Sequence, residues 1–167
     1  FWRMIRLKGS NLKSNPIIAI ITPTYNNGEL LNRLYKSIKN QTYNSFCWII
    51  VDDGSYDQTH KIVKNFTDIN LIYCKQNNLG PNSARNKAEE LIPKSCKYVI
   101  PIDSDDTFYN HNTLDKMYND IKNTPKNIGM VGYSTVDGLT GKRTTKLKSP
   151  TITVGYEENL KGEIYEG

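Results

Sequence analysis

The stretch Tyr98-Val-Ile-Pro-Ile-Asp-Ser-Asp-Asp106 begins as an apolar run, Tyr98 to Ile102, and ends in three carboxylates, Asp103, Asp105 and Asp106. Apolar runs of this length bounded by polar residues read as buried strands. Charge therefore gathers where a strand leaves the core, which is where open α/β sheets bind ligands. In an extended chain the side chains alternate between faces, so Asp103 and Asp105 are expected to point the same way. Two like charges held side by side repel unless a cation sits between them. Oxygen ligands suit a hard divalent ion, and Mg²⁺ or Mn²⁺ leaves coordination positions open for phosphate oxygens. Taken alone, the triplet reads equally well as a solvated acidic turn ahead of the next helix.

Working outward, the same pattern recurs. Ile17 to Ile21 is a fully apolar strand closed by the loop Thr22-Pro-Thr-Tyr-Asn-Asn-Gly28, and Leu30, Leu31, Leu34 and Ile38 then form a helical stripe. Phe46 to Val51 is a second strand, ending in Asp52-Asp53-Gly54-Ser55, after which Asp57 can cap a helix reaching Phe66. Ile69 to Tyr73 is a third strand, followed by a polar loop from Lys75 to Pro81. Pro81 or Asn82 opens a helix that buries Ala84, Ala88, Leu91 and Ile92. After the opening stretch come a helix around Thr113 to Ile121 and an apolar segment, Ile128 to Tyr133. Turn residues at Asp137-Gly138 and Thr140-Gly141 suggest a hairpin returning near Arg143 to Leu147. Strands that are continuous apolar runs, alternating with helices, specify an α/β fold: a mainly parallel central sheet covered by helices on both faces.

The chain divides into residues 1–15, an N-terminal arm or expression remnant without clear periodicity; 16–150, a single layered domain; and 151–167, a tail or the start of a further region. At 167 residues one domain is expected, long enough for a real core. The net charge of +5 raises nucleic acid or an anionic membrane surface as partners. Lys142, Arg143, Lys146 and Lys148 have no aromatic residues interleaved, so the cluster reads as a solvated edge and no nucleic-acid partner is expected. Cys47, Cys74 and Cys96 lack metal or redox spacing and are read as reduced packing residues of a cytoplasmic protein. His60 and His111 have no second ligand at metal-binding spacing and are assigned surface or capping roles.

In a parallel sheet the loops after successive strands emerge along one edge. Here three carry unusual polar groups: Pro23-Thr-Tyr-Asn26, Asp52-Asp53-Gly54-Ser55 and Asp103-Ser-Asp-Asp106. The first offers a flat aromatic face to a nucleobase, the second a carboxylate that can accept a base N–H, the third a seat for metal and diphosphate. Gly80-Pro-Asn-Ser-Ala-Arg85 adds a helix N-terminus, favourable to anions. Arg85 can pair with a phosphate or brace the acidic loop. Each loop alone also reads as an ordinary turn; their convergence is what suggests a site. No G-x-G-x-x-G follows the first strand and no G-x-x-x-x-G-K-[ST] occurs, which counts against dinucleotide dehydrogenases and P-loop NTPases.

Ile18-Ala-Ile-Ile-Thr-Pro-Thr-Tyr-Asn26, Ser37-Ile-Lys-Asn-Gln41, Ile50-Val-Asp-Asp-Gly-Ser-Tyr-Asp57, Asn78-Leu-Gly with Ala84-Arg-Asn86, and Ile102-Asp-Ser-Asp-Asp106 follow one another in order. Together they closely resemble the family-2 glycosyltransferases of the GT-A, nucleotide-diphospho-sugar transferase fold, over roughly residues 17–135. The resemblance implies that Pro23, Thr24, Tyr25 and Asn26 lie against the nucleoside, that Asp53 reads the base, and that Arg85, Asp103 and Ser104 belong to the nucleotide-sugar site. It implies Asp105, with Asp106 as a possible second, as ligands of Mn²⁺ or Mg²⁺. It implies an inverting displacement in which an acceptor hydroxyl attacks the donor sugar, most simply of a UDP-sugar.

The acceptor would be a glycan, a lipid-linked sugar or a protein, with the enzyme peripheral to the inner face of a membrane. The displacement needs a general base. Asp137, Glu157, Glu158, Glu163 and Glu166 are the downstream acids, and none stands in a family-like context. The base is therefore expected beyond Gly167, and the chain is expected to be a donor-binding part that transfers poorly alone, or a non-catalytic nucleotide-sugar-binding fragment. Receiver domains place their acid pair after the first strand, whereas Asp52 and Asp53 follow the second. Nucleotidyltransferases want a basic, Gly-rich first loop, and Thr22 to Gly28 contains no Lys or Arg.

Overall fold

The computed structural model describes residues 15–122 in full and the backbone of residues 3–7, 128–130 and 152–154. The apolar runs become strands β2 (Ile18–Thr24), β3 (Phe46–Asp52), β4 (Leu71–Lys75) and β5 (Tyr98–Pro101), with β1 (Arg3–Leu7) added at one edge. The helices are α1 (Gly28–Lys39), α2 (Thr59–Val63), α3 (Pro81–Glu90) and α4 (Thr113–Ile121). The sheet order is β1-β4-β3-β2-β5. β2 pairs in parallel with both β3 and β5, and β3 in parallel with β4.

Every residue of β2 and of β3 is buried, as a strand covered on two faces requires. Their alternate residues serve two cores. Ile18, Ile20, Trp48 and Ile50 pack with Leu31, Leu34 and Ile38 of α1, Val63 of α2 and Leu114 and Met117 of α4. Ala19, Ile21, Cys47, Ile49 and Val51 pack against Ala84 and Ala88 of α3. Three helices thus cover one face and α3 the other. Thr22 is also wholly buried, and its Oγ1 accepts the indole N–H of Trp48 at 2.9 Å. All three cysteines are free and buried, Cys47 and Cys96 with their sulfurs 3.8 Å apart.

Two expectations need correcting. Residues 3–7, read as part of an arm without periodicity, form a strand antiparallel to β4, from Arg3 opposite Lys75 to Leu7 opposite Leu71. An edge strand needs partners on one side only, so it requires no two-sided apolar run to announce it. The helix expected over 57–66 is a single short element, α2, because the Asp57 carboxylate turns to the N–H groups of Thr59 and Gly28 and the chain after Val63 closes in turns. Ile128–Met130 (β6), within the apolar segment expected over 128–133, pairs antiparallel with Ile152–Val154 (β7). The return strand expected near Arg143 to Leu147, the basic cluster there, and the acids from Asp137 to Glu166 lie outside the described residues.

Candidate functional site

The chain runs from β2 to β3 to β4 in one direction, then crosses back to place β5 on the far side of β2. That reversal makes a crevice beyond the carboxyl ends of β2 and β5, where ligands of open α/β sheets bind. The ladder carries on into the loops: the Asp53 N–H donates to the Thr24 carbonyl, the Gln76 N–H to the Asp52 carbonyl and the Ile102 N–H to the Ile21 carbonyl. Four loops are thereby held side by side. Between them lies a cleft of about 400 Å³, within the range of small-molecule sites.

The loops after β2 and β3 supply one wall. Pro23, Thr24, Tyr25 and Asp53 line it. Thr24 is 3% exposed, and its Oγ1 is buried without a hydrogen-bond partner among the described residues. A buried hydroxyl left this way is costly unless a ligand engages it. Asn26, at φ +52°, does not line the cleft. It stitches the two loops together: its N–H donates to Ser55 Oγ at 2.8 Å and its Oδ1 accepts the Tyr56 N–H at 2.9 Å. Beneath them Asp52 is wholly buried. It accepts the Ser55 N–H and the Tyr73 hydroxyl, and Lys75 Nζ lies 3.9 Å away. Burial and that bond to Asp52 push the Tyr73 phenol up, keeping it a donor.

Asp53 organises the opposite rim. Its Oδ1 accepts the amide of Gln76 at 2.7 Å and the N–H of Leu79 at 2.9 Å; its Oδ2 accepts the N–H of Gly80 at 2.8 Å. A carboxylate offers about four acceptor positions, so one remains, on Oδ2. Gly54 has φ +89°, and a Cβ there would stand 3.0 Å from the backbone nitrogen of Asn78. The glycine lets the loops after β3 and β4 close on each other. Asn78, Gly80 and Pro81 line the cleft, so the N-terminus of α3 opens onto it.

The acidic loop completes the cleft through Asp103, Ser104 and Asp105. β5 ends at Pro101, and residues 103–106 form a turn closed by the Asp106 N–H on the Asp103 carbonyl at 3.1 Å. The period-two alternation expected of Asp103 and Asp105 therefore does not apply, because the chain is no longer extended there. Arg85 Nη2 donates to Asp103 Oδ1 at 2.8 Å, the bracing role, while Arg85 itself also lines the cleft. Ser104 Oγ accepts the side-chain amide of Asn27 at 3.1 Å, tying this loop to the one after β2. Asp106 stands outside the lining. Burial, followed by the charges of Asp105 and Asp103, pushes its carboxyl above the usual range.

Sequence reasoning assigned no role to Asn27, Gln76 or Gln41. Gln41, in the motif Ser37 to Gln41, donates to the carbonyls of Ser37 and Asn110 and accepts the Leu114 N–H, while Ser37 Oγ accepts the Phe108 N–H. These bonds pin the segment after the acidic turn onto α1. The motif marked these residues as significant; their partners, some seventy positions away, were not readable from it.

A family profile described as "Glycosyl transferase family 2" matches residues 19–165. The putative teichuronic acid biosynthesis glycosyltransferase TuaG of Bacillus subtilis (strain 168) is 29% identical over 153 residues, covering 89% of this chain and 59% of TuaG. Glycosyltransferase GlyA of Streptococcus pneumoniae serotype 4 is 37% identical over 91 residues, covering 53% of this chain and 13% of GlyA. The structure of S. aureus TarS 1-349 in complex with UDP-GlcNAc superposes with a TM-score of 0.61 at 28% identity, covering 73% of this chain and 36% of that one. The chain thus spans less than two thirds of the length of each of these relatives. The profile nevertheless runs from the second residue of β2 to beyond β7, across every loop that builds the cleft, and the chain belongs to glycosyl transferase family 2.

Proposed function

We propose that this chain is the donor-binding part of a metal-dependent, inverting glycosyltransferase that takes a nucleoside-diphosphate sugar, with a UDP-sugar as the donor. The observation that carries the reading is the convergence in one cleft of an aromatic face at Tyr25, a carboxylate with one unused acceptor position at Asp53, and an acidic turn at Asp103–Asp106. Uracil presents a flat ring and one imide N–H, which suit Tyr25 and Asp53 Oδ2. Asp53 cannot donate, so a base offering only acceptors on that edge is disfavoured. S. aureus TarS, named in its structure as a UDP-GlcNAc complex, supports the uridine assignment.

The residues present fit a divalent cation. Among the described residues no three His, Cys, Asp or Glu side chains form a metal cage. Asp105 and Asp106 instead offer one or two hard oxygen donors, the set that Mg²⁺ uses when substrate phosphates complete its shell. Such an ion, once bound, would supply positive charge to the departing diphosphate. The chain's own groups do the rest. Arg85 and the N-terminus of α3 place positive charge beside the same cleft. Ser104 and Asn27 fix the acidic turn relative to the nucleoside loops. The acceptor hydroxyl must reach the sugar from the side opposite the diphosphate, and the base that takes its proton is assigned to the region beyond the cleft.

The names of TuaG and of the putative colanic acid biosynthesis glycosyl transferase WcaA of Escherichia coli (strain K12) favour a glycan acceptor in polysaccharide biosynthesis; the inner face of a membrane is part of the proposal. No helix among the described residues is long and apolar enough to cross a membrane. Calorimetric titration tests the donor assignment. UDP should bind with Mn²⁺ and lose most of its affinity in EDTA or in Asp105→Ala. GDP or ADP binding as well as UDP, or binding indifferent to the metal, would contradict it.

A further inference from the structure

Tyr56 is 84% exposed, yet its ring forms a T-shaped pair with Tyr25, centroids 6.2 Å apart and planes at 83°. Burial does not account for that placement; the backbone does. The Tyr56 N–H donates to Asn26 Oδ1. Ser55 before it is buried and held at its N–H by Asp52, at its Oγ by the Asn26 N–H and at its carbonyl by Lys75 Nζ. Asp57 after it is tied to Gly28 and Thr59. An exposed ring is thus carried on a turn anchored from both sides and set against the one aromatic group that lines the cleft among the described residues. Tyr25 is itself 41% exposed, and an edge contact of this kind restrains its ring.

We infer that Tyr56 is a positioning residue for the nucleobase: it holds the Tyr25 ring in the cleft wall so that the ring stays presented to a bound base. The inference rests on the nucleotide reading given above. A T-shaped pair is worth roughly a two- to tenfold change in an equilibrium constant, and that is the size of the effect on affinity.

The test is calorimetric titration of UDP with Mn²⁺ into the wild-type chain, Tyr56→Ala, Tyr56→Phe, Tyr25→Leu and the Tyr25→Leu/Tyr56→Ala double variant. Tyr25→Leu keeps an apolar wall while removing the ring. Tyr56→Ala should weaken UDP roughly two- to tenfold while the chain stays folded, its thermal midpoint falling by no more than the loss of that one exposed ring pair allows. Tyr56→Phe should bind as the wild type does, because the ring and not the hydroxyl makes the contact. In the Tyr25→Leu background, Tyr56→Ala should add nothing. Wild-type affinity in Tyr56→Ala, a loss that Phe does not restore, or an equal loss in the Tyr25→Leu background would each overturn the assignment. Failure of the wild type to bind UDP would instead overturn the nucleotide reading, and this inference with it.

Discussion

Replacing Asp53 by Asn probes the residue on which two walls of the cleft depend. The side chain is 4% exposed and accepts from Gln76 Nε2 and the Leu79 N–H at Oδ1 and from the Gly80 N–H at Oδ2. An amide keeps one acceptor oxygen and turns the other into a donor. With its oxygen at the Oδ1 position, the new NH₂ faces the Gly80 N–H; reversed, it faces two donors. The less damaging placement still loses one bond to a charged group and sets donor against donor. A hydrogen bond to a charged group is worth about 1.5–3 kcal/mol, and an orphaned buried donor costs a similar amount. Both describe the same N–H, so they do not add, and the expected loss is about 2–3 kcal/mol. Urea unfolding followed by circular dichroism measures it: the midpoint should fall with the slope unchanged. Amide exchange at Leu79 and Gly80 should quicken, because the carboxylate is what closes that loop. A loss below about 0.5 kcal/mol, the size of an ordinary surface substitution, would refute the idea that Asp53 ties the rim.

Other consequences follow from single contacts. Gly80 has φ +91° and ψ 162°, a region essentially reserved for glycine, yet open space surrounds the site of a Cβ. Gly80→Ala should therefore cost about 1–3 kcal/mol from backbone strain alone. Gly54→Ala should cost at least as much in thermal or urea unfolding, since its Cβ would also meet the Asn78 backbone. Thr22→Val keeps the shape of the side chain but leaves the buried Trp48 indole N–H unpaired, a loss of about 1–3 kcal/mol by urea unfolding. Burial pulls the Asp57 carboxyl upward, but hydrogen bonds from Thr59 and Gly28 outweigh it and hold the group below its ordinary value. Its contribution is then fully present above the unfolded value of about 3.9 and fades as pH falls through the lower folded value. Unfolding curves of Asp57→Asn should accordingly converge on those of the wild type at acid pH and separate above it.

The parts of this molecule that sequence discloses are those where one residue's chemistry suffices. β2 and β3 are buried at every position, so their apolar runs could be seen without knowing their neighbours. The abrupt change to Asp52-Asp53 and Asp103-Ser-Asp marked the strand ends, and parallel order put both on one edge. What depends on distant partners was hidden. Nothing local shows that Asn26 would reach Ser55 and Tyr56, or that Gln76 would hold Asp53. β4 was expected from Ile69 and runs instead from Leu71 to Lys75, because its end is set by pairing with Asp52 rather than by its own composition. Ile69 is buried all the same, so hydrophobicity located the core correctly and the strand boundary wrongly.

The central claim is that the loops of Tyr25, Asp53 and Asp105 share one cleft that grips a nucleoside diphosphate through a bound cation. Paramagnetic broadening of backbone amide resonances by Mn²⁺, with and without UDP, examines all three loops at once. Broadening centred on Asp103–Asp106 that spreads to Gly80 and Arg85, and that requires UDP to become tight, is the predicted result. Broadening elsewhere on the chain, or a pattern that UDP leaves unchanged, would contradict the account.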